Sequence, residues 1–228
     1  MTPLPQRTEL MTQFHETMRT AATTRYYSSE AVAPAILYRV LDSARFAPSG
    51  GNRQGWRIIV VRDADRRRLI AEHYRGVWEP YRAQIGSGAR ASKLVPRSLQ
   101  AADHFAAHLA DVPVHLLVWV DIDSLQITDR ELERVSIAGG ASVYPFVQNV
   151  LLAAHAEGLG AAITTLLCGC ESAIGDLCKA PEGLALAALV TLGHPIPEKV
   201  PRRLSRHPVP EFAFVEAFGG PPLSEIAP

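Results

Sequence analysis

The stretch Ser43-Ala-Arg-Phe-Ala-Pro-Ser-Gly-Gly-Asn-Arg-Gln-Gly-Trp-Arg-Ile-Ile-Val-Val61 passes from helix to strand through a single break. Just upstream, Ile36, Leu37, Val40, Leu41 and Ala44 recur at the spacing of one buried helix face. Pro34 falls in the first turn of that helix, where a missing N–H costs nothing. Pro48-Ser49-Gly50-Gly51-Asn52 is rich in turn formers and stops the helix. The run from Arg57 to Val61 is β-branched and is predicted to form a short buried strand.

Outward from this block, residues 9–20 are predicted to be helical, with Ser28-Ser29-Glu30 as a polar break. Downstream, a long helix is expected over 65–85, carrying Leu69, Ile70, Tyr74, Val77, Trp78 and Tyr81 on one side. Residues 87–98 are Gly-rich and basic and read as a mobile surface loop. Helices are predicted over 100–109, 142–157 and 172–178, and strands over 114–120, 161–166 and 184–192. The 142–157 helix is apolar nearly all round, so it should be central. Beyond Gly193-His194-Pro195 the chain is Pro-rich and basic, and it then ends in an apolar arm at 212–218. Four strands interleaved with helices, read by periodicity alone, suggest a parallel doubly wound sheet. No GxGxxG follows the first strand, so the Rossmann fingerprint is missing.

Composition narrows the function classes. The 228 residues are 47% hydrophobic and carry 23 basic and 23 acidic side chains, so no net field draws nucleic acid or an anionic membrane. An anionic ligand must be held by local clusters. The N-terminus lacks a signal-peptide profile, and no apolar run approaches the ~20 residues that span a bilayer, so a cytoplasmic protein is expected. Cys168, Cys170 and Cys178 do not form a secreted disulfide framework; they read as small apolar side chains near a strand end. His104 and His108, four apart on a helix, have metal-ligand spacing but no acidic partner, and read as an exposed pair with no metal.

The block from Ser43 to Val61 closely resembles the signature of the nitroreductase family, in which a helix ends in A-P-S-x-x-N-x-Q-P-W and runs into a strand. Three other segments agree in order and spacing: Met18-Arg19-Thr20 through Arg25-Tyr26-Tyr27, Gln148-Asn149 through Gly158-Leu159-Gly160, and Leu192-Gly193-His194-Pro195 with the basic tail. The resemblance implies an α+β fold with a mainly antiparallel central sheet flanked by helices, in place of the parallel sheet. It implies one FMN-binding domain over residues 9–218, with terminal tails at 1–8 and 219–228. It also implies a homodimer in which the C-terminal arm adds to the partner's sheet.

The same resemblance implies an FMN site. Thr23 and Arg25 match phosphate-binding positions, and Arg203 and Arg206 lie where the tail supplies basic phosphate ligands; guanidinium forks suit phosphate oxygens. Pro48, Ser49 and Asn52 match positions that contact the flavin ring, and Asn52 offers a donor and an acceptor. Thr164 and Thr165 fall in the loop that serves the flavin N5. Trp56 is expected to pack in the core, and Tyr144 either lines the substrate face or packs. The chain departs from the pattern at Ala21 and Ala22, where basic residues are usual, and at Gly55, which replaces a proline and should loosen the turn. Arg19, two residues before Ala21, should face elsewhere on a helix. No side-chain acid or base is named, since the flavin carries the chemistry. The activity implied is ping-pong passage of hydride from NAD(P)H through FMN to an electron-poor acceptor such as a nitroaromatic or quinone. Two alternatives stay open: a flavin-binding protein with little turnover, and an oxygen-dependent relative that modifies flavin.

Overall fold

In the computed structural model, which describes residues 7–87, 96–201 and 204–224, the break after Ala44 is sharp. Helix α1 spans Arg7–Thr20, and α2 spans Pro34–Ala44 with Leu37, Val40 and Ala44 buried. Three residues of the following turn are left-handed: Gly51 (φ 60°), Asn52 (φ 54°) and Gln54 (φ 51°). Glycine and asparagine tolerate that region, whereas Gln54 stores about 1–3 kcal/mol of backbone strain there. The Ser49 hydroxyl accepts the Gln54 N–H at 3.0 Å and holds the turn closed.

The strands are β1 (Trp56–Val61), β2 (Val114–Asp121), β3 (Gly160–Thr164) and β4 (Leu184–Gly193). They form one sheet in the order β1-β2-β4-β3, and every neighbouring pair is antiparallel. The parallel sheet suggested by periodicity is therefore wrong. Two helices, α3 (Ala64–Ser87) and α4 (Pro96–Ala107), lie in succession between β1 and β2, so the chain reverses once more than a strand–helix–strand unit requires. These helices also shorten the surface loop expected at 87–98: Ser87 and Pro96 to Ser98 are helical, and 88–95 lie outside the described residues.

The sheet is covered on both sides. Val114, Leu116, Val118 and Val120 of β2 pack with α2 and with α5 (Tyr144–Ala156). Leu117 and Trp119 point the other way, toward α3, α4 and α6 (Glu171–Cys178). This is the period-two alternation of a central strand with a core on each face. β1, in contrast, is an edge strand: its residue Val60 is 39% exposed, so the buried strand expected at 57–61 is only half buried. Trp56 stacks on Phe146 at 4.9 Å, as expected of a packing residue. Among the described residues no helix is long and apolar enough to cross a membrane.

The core contains a histidine. His115 is fully buried; its Nε2 lies 2.8 Å from the Leu109 carbonyl, while Nδ1 has no partner. Burial, helped by the nearby Arg67, pushes its pKa down to about 4. The unfolded chain therefore takes up a proton near pH 6.5 that the folded chain refuses until about pH 4. Stability is full above pH 6.5 and falls by about 3 kcal/mol on acidification to pH 4. In His115→Gln, which keeps a donor for Leu109, most of the fall in melting temperature between pH 7 and 4.5 should disappear. An undiminished fall would place the acid sensitivity elsewhere.

Candidate functional site

Arg25 is brought to its place by a glycine. The segment before it runs beside β3: Thr23 bridges Ala161, and the Thr24 N–H donates to the Ala161 carbonyl at 2.8 Å. A Cβ on Gly160 would come within 2.6 Å of the Thr24 side chain, so only glycine permits this approach. Arg25 then projects into a cavity of about 500 Å³ with Thr164 and Thr165 at the end of β3. Tyr74, Trp78 and Tyr81 from α3 and Phe105 from α4 form its aromatic wall. The Tyr74 and Thr164 hydroxyls are 3.5 Å apart, and the Thr164 hydroxyl accepts the Leu166 N–H at 3.2 Å.

Charge singles this cavity out. Among the described residues, neither a hydrogen bond nor an ion pair occupies the partly buried Arg25 guanidinium. A wider recess of about 850 Å³ also contains arginines, but they are committed. Arg67 donates to the Ala110 and Val112 carbonyls and Arg62 to that of Val32. An uncompensated cation above an aromatic wall suits a planar ligand that bears an anion.

The expected site residues divide into two groups. Arg25, Thr164 and Thr165 line the cavity, and Thr23 is exposed beside it. Pro48, Ser49 and Asn52 precede β1, at the opposite edge of the sheet from β3. Three strand spacings separate the edges, roughly 14 Å. The 48–52 turn faces the loop ahead of α5, where the Gly50 N–H donates to Ser142 Oγ at 3.0 Å. Arg203 lies outside the described residues. Arg206 is exposed and donates to the carbonyl of its own neighbour Ser205, away from the cavity. The tail turns back on itself through a Phe214–Pro222 bridge, leaving Phe212 63% and Phe218 97% exposed.

Some expectations change. Gly55 does not loosen its turn: it is buried, and a Cβ there would lie 2.6 Å from Ser124 Cβ and overlap Ser124 Oγ. The chain has filled with Ser124 the space that a side chain at 55 would need. The histidines are not an exposed pair without an acidic partner: His108 is exposed but lies 3.1 Å from Asp111, and the His104 ring stacks on Tyr26 at 4.1 Å and 19°. The cysteines behave as small packing residues, and burial pushes the Cys168 thiol up to about 11, so it stays protonated. Among the described residues no cluster suits a metal ion. Tyr144 is 42% exposed and reaches the Ala187 carbonyl at 3.3 Å.

Two features escaped the sequence reading. Tyr74, Trp78 and Tyr81 read as a core stripe, but the stripe overhangs β3 and becomes a cavity wall; spacing cannot tell a buried face from a lined one. Asp129 is the organiser of the loop before α5. Its carboxylate accepts the Ile137 N–H at 2.8 Å, the Ser136 hydroxyl at 2.7 Å and an Arg134 N–H at 2.8 Å. Those donors, the Ile137 N–H foremost, hold it well below the usual carboxylate range.

Comparison with known proteins matches the Nitroreductase family over residues 18–194. An NADH dehydrogenase of Thermus thermophilus is 27% identical over 204 residues, covering 78% of this chain and 84% of that protein. A 5,6-dimethylbenzimidazole synthase of Rhodospirillum rubrum is 26% identical over 188 residues, covering 82% and 81%. Among solved structures, a Desulfovibrio desulfuricans protein assigned to the nitroreductases and solved in complex with FMN aligns with a TM-score of 0.65. It is 24% identical and covers 90% of this chain and 97% of its own.

Proposed function

The chain belongs to the nitroreductase family, and from that membership we propose that it is an FMN-dependent oxidoreductase that uses NAD(P)H and acts as a homodimer. The observation that carries the reading is Arg25, unpaired among the described residues, in a cavity with Thr164, Thr165 and an aromatic wall. Arg25 holds the FMN phosphate with Thr23 beside it. The backbone and hydroxyls at Thr164 and Thr165 serve the flavin N5, while Tyr74, Trp78 and Phe105 exclude water from its surroundings. When bound, FMN supplies the capacity to accept and return hydride.

The two-edge arrangement supports the dimer. Pro48, Ser49 and Asn52 of one chain lie too far around the sheet to share a ring with that chain's own Arg25 and Thr164. A second copy supplies them, the strained 51–54 turn presenting Asn52 toward the ligand. Arg203 and Arg206 arrive by the same route, carried on a tail that leaves Phe212 63%, Phe214 41% and Phe218 97% exposed. An electron-poor acceptor such as a nitroaromatic or a quinone is the proposed substrate class.

Equilibrium dialysis with FMN, FAD and riboflavin tests the reading. One FMN per subunit is expected, bound more tightly than riboflavin; equal affinity for the two would remove the phosphate cradle. A second reading, a flavin carrier with little turnover, draws support from Ala21 and Ala22 standing where the family usually has basic side chains. Steady oxidation of NADH or NADPH with a quinone acceptor would exclude it.

A further inference from the structure

With Ala21 and Ala22 uncharged, Arg25 is the one cation lining the cavity among the described residues, so what holds it matters more than usual. It is followed by two tyrosines, Tyr26 and Tyr27, each anchored differently. The Tyr27 hydroxyl donates to the Thr24 carbonyl at 2.7 Å and lies 2.9 Å from Thr191 Oγ. Among the described residues Tyr26 makes no side-chain hydrogen bond of that kind; its ring is held by stacking. The His104 imidazole lies on it at 4.1 Å and 19°, and the Lys199 ammonium sits 5.6 Å from its centroid. His108 extends the column, its ring 4.3 Å from that of His104.

His104 stands on α4, the helix whose Ala102 and Phe105 line the cavity. Partial burial, His108 and Lys199 lower its pKa and outweigh Asp111, so the stacking partner of Tyr26 is the neutral ring at pH 7. One helix therefore both walls the cavity and fixes the residue next to its cation. Stacked aromatic pairs contribute to stability beyond their buried area.

We propose that His104 is a positioning residue: by stacking on Tyr26 it sets the place of Arg25 and so the affinity of the cavity for the anionic end of its ligand. The inference rests on the flavin reading above, with the FMN phosphate as the anion. It separates two parts of one ligand, because a residue that acts through Arg25 affects the phosphate and leaves the ring alone.

The test measures dissociation constants for FMN and riboflavin on the full chain as wild type, His104→Ala and His104→Phe, with thermal melts as a check on folding. His104→Ala is expected to weaken FMN about three- to tenfold and leave riboflavin nearly unchanged, while His104→Phe, which stacks without an imidazole, restores FMN binding. An unchanged FMN-to-riboflavin ratio in His104→Ala, or an equal fall for both ligands, would overturn the positioning role. Failure of phenylalanine to restore the ratio would also overturn it, since stacking would not be the cause. A wild-type protein with no preference for FMN over riboflavin would instead sink the phosphate cradle itself, and this inference with it.

Discussion

Arg25→Ala is expected to weaken FMN binding by about ten- to a hundredfold, the effect of deleting one charge-assisted contact worth about 1.5–3 kcal/mol. The fold should be untouched. Among the described residues Arg25 makes no hydrogen bond or ion pair that the substitution would break, and the segment is held by the Thr24–Ala161 bond and the Tyr27 hydroxyl. Riboflavin affinity should stay close to that of the wild type. Titration of flavin fluorescence with both ligands, alongside circular dichroism, measures each part. Normal FMN binding by the variant would show that the phosphate lies elsewhere.

Truncation after Pro201 is the larger perturbation, and it is expected to abolish the dimer and flavin binding together. The cut keeps Lys199 over Tyr26 and removes only the arm beyond it. In a single chain Val209, Phe212, Phe214 and Phe218 of that arm are all exposed, and the Val215–Pro221 and Leu223–Ala213 hydrogen bonds close a turn within it. Its removal should therefore leave a folded monomer. So many exposed aromatic side chains in one segment imply burial against another surface, and association then sets apparent stability. Sedimentation and flavin absorbance on the truncated chain measure both losses. A truncated dimer that still holds FMN would refute the arm exchange and the phosphate roles of Arg203 and Arg206.

What the sequence by itself determined is local. The helix through Ala44, the turn at 48–52 and the strand at 57–61 follow from side-chain spacing and from Pro, Gly and Asn placement, each acting over a few residues. Arg25, Thr164 and Thr165 could be named because the motifs that carry them are short and contiguous, and the fold brings those three to one cavity.

Only the tertiary structure decided the rest, because it depends on which distant residues meet. The antiparallel pairing of β1 with β2 follows from the extra reversal through α3 and α4, a property of the connection and not of either strand's composition. Gly55 is explained by Ser124, sixty-nine positions away, and the Tyr26–His104–Lys199 column joins three segments with no shared sequence pattern. The separation of Asn52 from Arg25 likewise appears only once β1 and β3 are seen at opposite edges. Periodicity reports which face of an element is apolar; whether a neighbour, a ligand or a second chain covers that face is settled by packing.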